Sequence, residues 1–283
     1  SFGIGLDFNG TFYSHPKASS GYTLSNRDKK IRNFWIDHAK RSRKIAAKFA
    51  KELSQPSVCN LWIPDGTKDF TADRFSPRKL LLHSLDEIFS GKLFGIGSEE
   101  YVVGSNDFYL GYAVSRKITP CLDMGHYHPT ECLYDKISAI SQFVPSIIIH
   151  VSRPIRWDSD HVVILNDDLA NLAKEIVRGD MLNKVFFATD FFDASINRIG
   201  AWVIGVRSLQ KALLAALLEP RDLLCGFENK GNNAEKLALS EEMKTMPLGA
   251  VWNYFCETHN TAPSLSWINE ISKYEDKILA ERK

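Results

Sequence analysis

Residues 145–165 read PSIIIHVSRPIRWDSDHVVIL. Ile147, Ile148 and Ile149 form a β-branched apolar run of the kind that fills a strand covered on both faces. Ionisable groups then crowd its end: His150, Arg153, Arg156, Asp158, Asp160 and His161, with Trp157 among them. A surface loop would solvate such groups, but the isoleucine run argues for burial. Either the groups pair with each other, or they hold something.

Working outward, apolar runs alternate with helical patterns. Residues 2–8, 57–63, 118–124, 146–152 and 184–191 read as strands, and 92–104 as irregular strand. Residues 27–53, 76–89, 131–144, 166–178 and 195–218 read as helices; Ile31, Phe34, Trp35, Ile45, Phe49 and Leu53 set the apolar stripe of the first. The tail, 234–283, is helical with breaks at Pro247 and Pro263. Strands that are continuously apolar and separated by helices predict a parallel sheet in an α/β fold. Polar groups recur where the strands end: Asp65, then Asp123 and His126, then His150, Asp158 and Asp160, then Asp190. In a (β/α)8 barrel those ends meet on one face, where such enzymes do their chemistry. A Rossmann sheet would also use strand ends, but no GxGxxG turn opens a helix here.

The bulk numbers narrow the class. The chain has 283 residues, 44% hydrophobic content and a formal net charge of +1. That balance, with no long run of one sign, argues against nucleic acid as the main partner. No apolar stretch reaches the roughly 18 residues of a membrane span. Five scattered cysteines, without CxxC pairs, read as the reduced thiols of a cytosolic protein.

Four carboxylates (Asp123, Asp158, Asp160, Asp190) and two or three imidazoles (His126 and His150, with His128 as a third candidate) at one mouth would repel and compete unless a cation joined them. Mixed carboxylate and imidazole donors suit Mn²⁺, Zn²⁺ or Mg²⁺. The rival reading makes Arg153 and Arg156 ordinary ion-pair partners of Asp158 and Asp160. His128, before Pro129, is expected to shape a turn, and His161 to pack or cap. His38 and His83 lie inside helices, and His15 has an open choice between a mouth position and packing. Trp62 and Trp157 are core aromatics or a wall against a sugar ring. Lys92 precedes an apolar segment and by itself reads as solvated.

Five segments then carry a resemblance: LWIPDGTKDFTADRFSPRK, KLFGIGSEEYVVGSNDFYLGYA, CLDMGHYHPTE, HVSRPIRWDSDHVV and DFFDASINRIGAWVIG. In this order, nearly end to end, they resemble bacterial L-rhamnose isomerase. The resemblance implies a metal-dependent aldose–ketose isomerase on a (β/α)8 barrel, a cytoplasmic homotetramer acting on L-rhamnose and related aldoses. It implies conversion of L-rhamnose to L-rhamnulose by a hydride shift between C1 and C2, in L-rhamnose breakdown. Two ions are implied, Mn²⁺ first, with Zn²⁺, Co²⁺ or Mg²⁺ as alternatives. His126, Asp158 and Asp160 match ligands of the catalytic ion; Asp123, His150 and Asp190 match ligands of a structural ion. Asp190 and Lys92 match catalytic groups, and Trp62, Lys92, His126 and Asp158 match sugar contacts.

Two departures from the family pattern shape the expected architecture. By the resemblance, the chain is expected to begin at what looks like the family's third barrel strand. The segment before Lys92 is shortened, so that Ser90 and Gly91 stand where the family has a metal-binding glutamate. The expectation is therefore an incomplete barrel over 1–233, with 234–283 a helical extension packing on the barrel or on a neighbouring subunit. An inactive, poorly folding remnant of the family and a divalent-metal hydrolase on the same barrel are the competing readings.

Overall fold

The computed structural model describes residues 5–68, 71–88, 101–128, 130–156, 158–193 and 195–282. They form a mixed α/β structure that divides into two compact units, Ser1–Leu122 with Ile140–Ile148, and Asp123–Ala139 with Ile149–Lys283.

In the first unit, β1 (Phe8–Gly10) pairs in parallel with β2 (Cys59–Leu61), Phe8 opposite Cys59 and Gly10 opposite Leu61. Of the strand expected over 2–8, residues 2–4 lie outside the described residues, and the strand the described residues form is Phe8–Gly10. Between these strands runs α1 (Lys29–Leu53), opened by Asp28, whose carboxylate accepts from Lys30 N at 2.8 Å, and closed by left-handed Ser54. Trp35 is buried and stacks on Phe12 at 5.2 Å. Further along, the buried face of α1 is Ala39, Ser42 and Ala46, while Ile45 and Leu53 are exposed, contrary to the stripe read from the sequence. Small residues win there because the strand comes close: a Cβ on Gly10 would stand 2.7 Å from Ser42 Oγ. Strands β3 (Gly66–Thr67) and β4 (Tyr101–Val102), separated in the chain by a helix, pair antiparallel. Helix α2 (Phe75–Ile88) is capped by Asp73, which accepts from Phe75 N and Ser76 N at 3.0 Å each. Helix α3 (Asn106–Arg116) was not legible in the sequence, although Ser105 caps it and Asp107 occupies its first turn. Gly111 and its aromatic neighbours blur the apolar period there.

Asp65 ends this unit's second strand region and is 1% exposed. It accepts from Thr23 Oγ1, from Ser25 N at 2.7 Å and from Ser25 Oγ at 2.5 Å. Burial raises its pKa above the ordinary carboxylate value, and these donors pull it back only in part. Its backbone carbonyl accepts from Val103 N at 3.0 Å, so one residue ties three loops together. His15 packs: it stacks on Phe34 at 4.9 Å, and its Nδ1 accepts from Lys17 N at 3.1 Å. His38 lies in α1 against the Thr11 carbonyl at 2.9 Å.

A three-stranded sheet follows, in the order β5 (Cys121–Asp123), β6 (Ile147–Val151), β7 (Val185–Thr189). Helix α4 (Tyr134–Ser141) lies between β5 and β6 in the chain, and α5 (Asp167–Arg178) between β6 and β7. Asn166 caps α5 at Leu169 N, 3.1 Å.

In the second unit, Leu169, Leu172, Ala173 and Ile176 of α5 are buried, and α5 packs against α6 (Arg198–Leu217). By length and composition α6 could cross a membrane. Yet it packs on α5 and β7, and Gly205 lies so close under Phe191 that a Cβ would meet the ring at 2.5 Å. The tail comprises α7 (Arg221–Asn229), α8 (Asn233–Lys244), α9 (Leu248–Thr258) and α10 (Trp267–Tyr274). Helices α9 and α10 pack on α6, with Trp252 buried and the Arg207 guanidinium 5.0 Å from its ring centre.

Replacing Thr23 by Val removes one donor from a fully buried carboxylate. Urea denaturation should show a loss of about 1–3 kcal/mol; an unchanged midpoint would mean that Asp65 does not anchor this loop.

Candidate metal centre

Asp123 is the last residue of β5, His150 lies near the end of β6, and Asp190 directly follows β7. One ligand atom from each lies within 4.8 Å of the others. Three strand ends that meet in this way belong to strands running in the same direction, as the apolar runs predicted. Asp123 and His150 are 3% and 5% exposed. His150 Nδ1 stands 3.1 Å from Asp123 Oδ2 and 2.9 Å from Asp190 Oδ2. One ring nitrogen carries at most one proton, so two carboxylates compete for it.

Beside these residues, the turn Met124–His126 and the loop after β6 bring a second set together. His126 Nε2 lies 2.8 Å from Asp158 Oδ1. Residues 153 and 161 pair across the loop base, with Arg153 N to His161 O at 3.0 Å and His161 N to Arg153 O at 3.2 Å. Ser159 Oγ accepts from Ile155 N and Arg156 N at 3.0 Å each, which tightens the loop tip. Asp158 and Asp160 both take left-handed backbone angles, φ 52° and 37°. Non-glycine residues there cost energy and concentrate at functional sites. Asp158 N donates to the Gly125 carbonyl at 2.9 Å, and Phe192 N to the Asp160 carbonyl at 2.9 Å, so both conformers are held by neighbours.

The rival ion-pair reading finds no support in these contacts. Arg153 Nε donates to the Val162 carbonyl at 2.9 Å, and the partner of Asp158 is His126. His128 Nδ1 bonds Thr130 Oγ1 at 2.7 Å and shapes the turn. Trp62 follows β2 in the first unit and is half-buried. Lys92 and Trp157 lie outside the described residues, as do Ser90 and Gly91.

Electrostatics report the crowding. Burial, then the charges of Asp123, Asp158 and Asp190, push the Asp160 carboxyl up to about 6. The Ser152 hydroxyl lies nearby, short of full hydrogen-bond geometry, and offsets this only slightly. Burial alone would lower the pKa of His126, but the Asp158 hydrogen bond and the surrounding acids outweigh it and hold it above the ordinary value.

The residues present fit a divalent cation. The donors are carboxylate and imidazole, which suit Mn²⁺, Zn²⁺ or Mg²⁺. Asp160 Oδ1 is buried without a hydrogen-bond donor in proper geometry. The competition at His150 Nδ1 also leaves carboxylate lone pairs facing one another, which positive charge would relieve.

The sequence profile of the family described as L-rhamnose isomerase (RhaA) matches residues 1–282. The chain belongs to the L-rhamnose isomerase family. Curated relatives named L-rhamnose isomerase from Salmonella paratyphi B, Salmonella newport and Salmonella heidelberg are each 52% identical over 292 residues, which cover 99% of this chain and 70% of the relative. The aligned length exceeds the 283 residues of the chain, so the relatives carry residues within the aligned span that this chain lacks. Membership on this scale does not favour the inactive-remnant or hydrolase readings.

Two residues of the site escaped the sequence reading. Gly125 and Ser152 are neither ligands nor titratable, and only the folded geometry brings them beside the acids.

The metal-free protein should lose stability as pH rises. Asp160 holds its proton up to about pH 6 when folded, but only to its ordinary value of 3.8 when unfolded. The folded state therefore binds more protons in that window, and stability falls as pH climbs through it. The stabilisation from His126 is complete below 6.5 and is lost as pH rises through its raised folded value. Melting in a chelator from about pH 5 to about pH 8 should show a falling midpoint; a flat or rising one contradicts this electrostatic account.

Proposed function

We propose that this chain isomerises L-rhamnose to L-rhamnulose, using two divalent ions, Mn²⁺ first, held by the two ligand sets. The observation that supports this best is the convergence of Asp123, His150 and Asp190 at three strand ends, in a chain of this family. His126, Asp158 and Asp160 would hold the ion nearest the sugar, and Asp123, His150 and Asp190 the other. When bound, such ions supply Lewis-acid polarisation at the sugar's carbonyl and hydroxyl oxygens.

The chain's own residues do the rest. In the open-chain aldose, the C2 hydrogen moves to C1, while the O2 proton leaves and O1 gains one. Asp190, partly exposed beside buried His150, holds the proton that O2 gives up and returns it to O1. Asp158 is kept in its left-handed conformer by the Gly125 carbonyl and orients His126 across 2.8 Å. The buried strand ends exclude water from Asp123 and His150, which strengthens every charge interaction there.

The finer architecture follows the same reading. We assign the three-stranded sheet and the β1–β2 pair to an incomplete (β/α)8 barrel, with the helical tail as its extension. The assembly is taken as a cytoplasmic homotetramer, and exposed Tyr254, Leu237 and Leu265 on the tail would suit a subunit contact.

Incubation with L-rhamnose and Mn²⁺ should yield the ketose, read by a ketose-specific colour reaction or by NMR. Absence of ketose with intact, ion-loaded protein would refute the reading. Asp158→Asn removes a charge without removing volume. It should lower turnover by about 100-fold, the upper end of losses seen even for residues that only support ligands. Parental activity and ion content would rule Asp158 out as a ligand.

A further inference from the structure

We propose that Gly125 is a positioning residue that couples the two ligand sets, and that any side chain at this position loosens ion binding. The proposal rests on the metal reading above and extends it to a residue that ligates nothing.

Gly125 touches both sets at once. Its N–H donates to Asp123 Oδ1 at 2.7 Å, turning one acid at the end of β5. Its carbonyl accepts from Asp158 N at 2.9 Å, pinning the loop's first acid in the left-handed region. The place where a Cβ would stand is walled by Asp123 Oδ1 and Asp160 Oδ1 at 3.2 Å each, and by Ser152 Oγ at 3.4 Å. Oxygens from three segments thus close on one point, and a methyl there would be held tighter than ordinary contact.

The need is for space and not for conformational freedom. The backbone of Gly125 lies outside the left-handed region, where other glycines of this chain, Gly21 and Gly231, are found. An alanine could therefore take the same backbone conformation. Its methyl would press on two carboxylate oxygens more closely than ordinary van der Waals contact allows, so Asp123 and Asp160 would have to part by a few tenths of an ångström. Metal sites hold ligand distances to about 0.2 Å. Ser152 is 2% exposed and forms the third wall, so it cannot yield space by swinging into solvent.

The test uses the full chain and Mn²⁺ alone, titrated by calorimetry or by the paramagnetic signal of free Mn²⁺, beside metal-free melting. Gly125→Ala should weaken Mn²⁺ binding by about 10–100-fold, the range for residues that orient ligands, with a metal-free melt that remains cooperative. The control Gly200→Ala meets only ordinary contacts, the nearest at 3.6 Å, and should bind Mn²⁺ as the parent does. The pair Gly125→Ala with Ser152→Ala relieves the serine wall and leaves both carboxylate contacts, so affinity should stay low. Parental affinity in Gly125→Ala would overturn the proposal. Recovery in the pair would also overturn it, by placing the clash on Ser152. Should Gly125→Ala fail to fold, Ser152→Ala decides: parental Mn²⁺ affinity supports the proposal, and a tenfold loss moves the role to Ser152. A parent chain that binds Mn²⁺ without forming ketose refutes the function and leaves the Gly125 result standing. A parent that binds no Mn²⁺ refutes both.

Discussion

Two carboxylates, Asp123 and Asp190, approach a single buried nitrogen of His150. That competition is the constraint on which the second unit depends. Parallel strands place their ends together, and whatever those ends carry must coexist away from water. A chain that fills the ends with acids commits itself to positive charge at the same place. The raised carboxyl of Asp160 and the raised imidazole of His126 both follow from that commitment.

The first unit solves a similar difficulty by other means. Asp65 is as deeply buried as Asp123, yet among the described residues its side-chain partners are neutral donors from Thr23 and Ser25. Hydroxyl and amide donors suffice for one carboxylate, because they satisfy its lone pairs without adding charge. The two aspartates both lie at strand ends and differ in their neighbours: neutral donors surround Asp65, whereas Asp123 faces the His150 ring beside Asp190.

Much of this was legible beforehand. The isoleucine run marked β6, the apolar stripe through Ile31, Phe34 and Trp35 marked α1, and Pro247 and Pro263 broke the tail near where its helices end. The acids and imidazoles could be named from their places after apolar runs, since chemistry at strand ends leaves a residue-type signature. Helix α3 escaped because glycine and aromatics hide its period, and the C-terminal stripe of α1 was misread because close packing selects alanine and serine over large side chains. Gly125 and Ser152 left no trace, because their role is a distance to other segments and the sequence carries no term for that. The left-handed angles of Asp158 and Asp160 were hidden for a related reason: aspartate tolerates them without requiring them.

The spread of the ligands along the chain has a temporal side. Asp123, His150 and Asp190 belong to three different strands, each separated from the next by a helix. During synthesis Asp123 emerges first and Asp190 last, and no pair of them is close in sequence. The three side chains therefore stand together only once β7 lies beside β6, a pairing between segments far apart in the chain. A nascent chain offers scattered acids but no cage. Any cation that these side chains hold would meet a pocket whose backbone geometry is already settled.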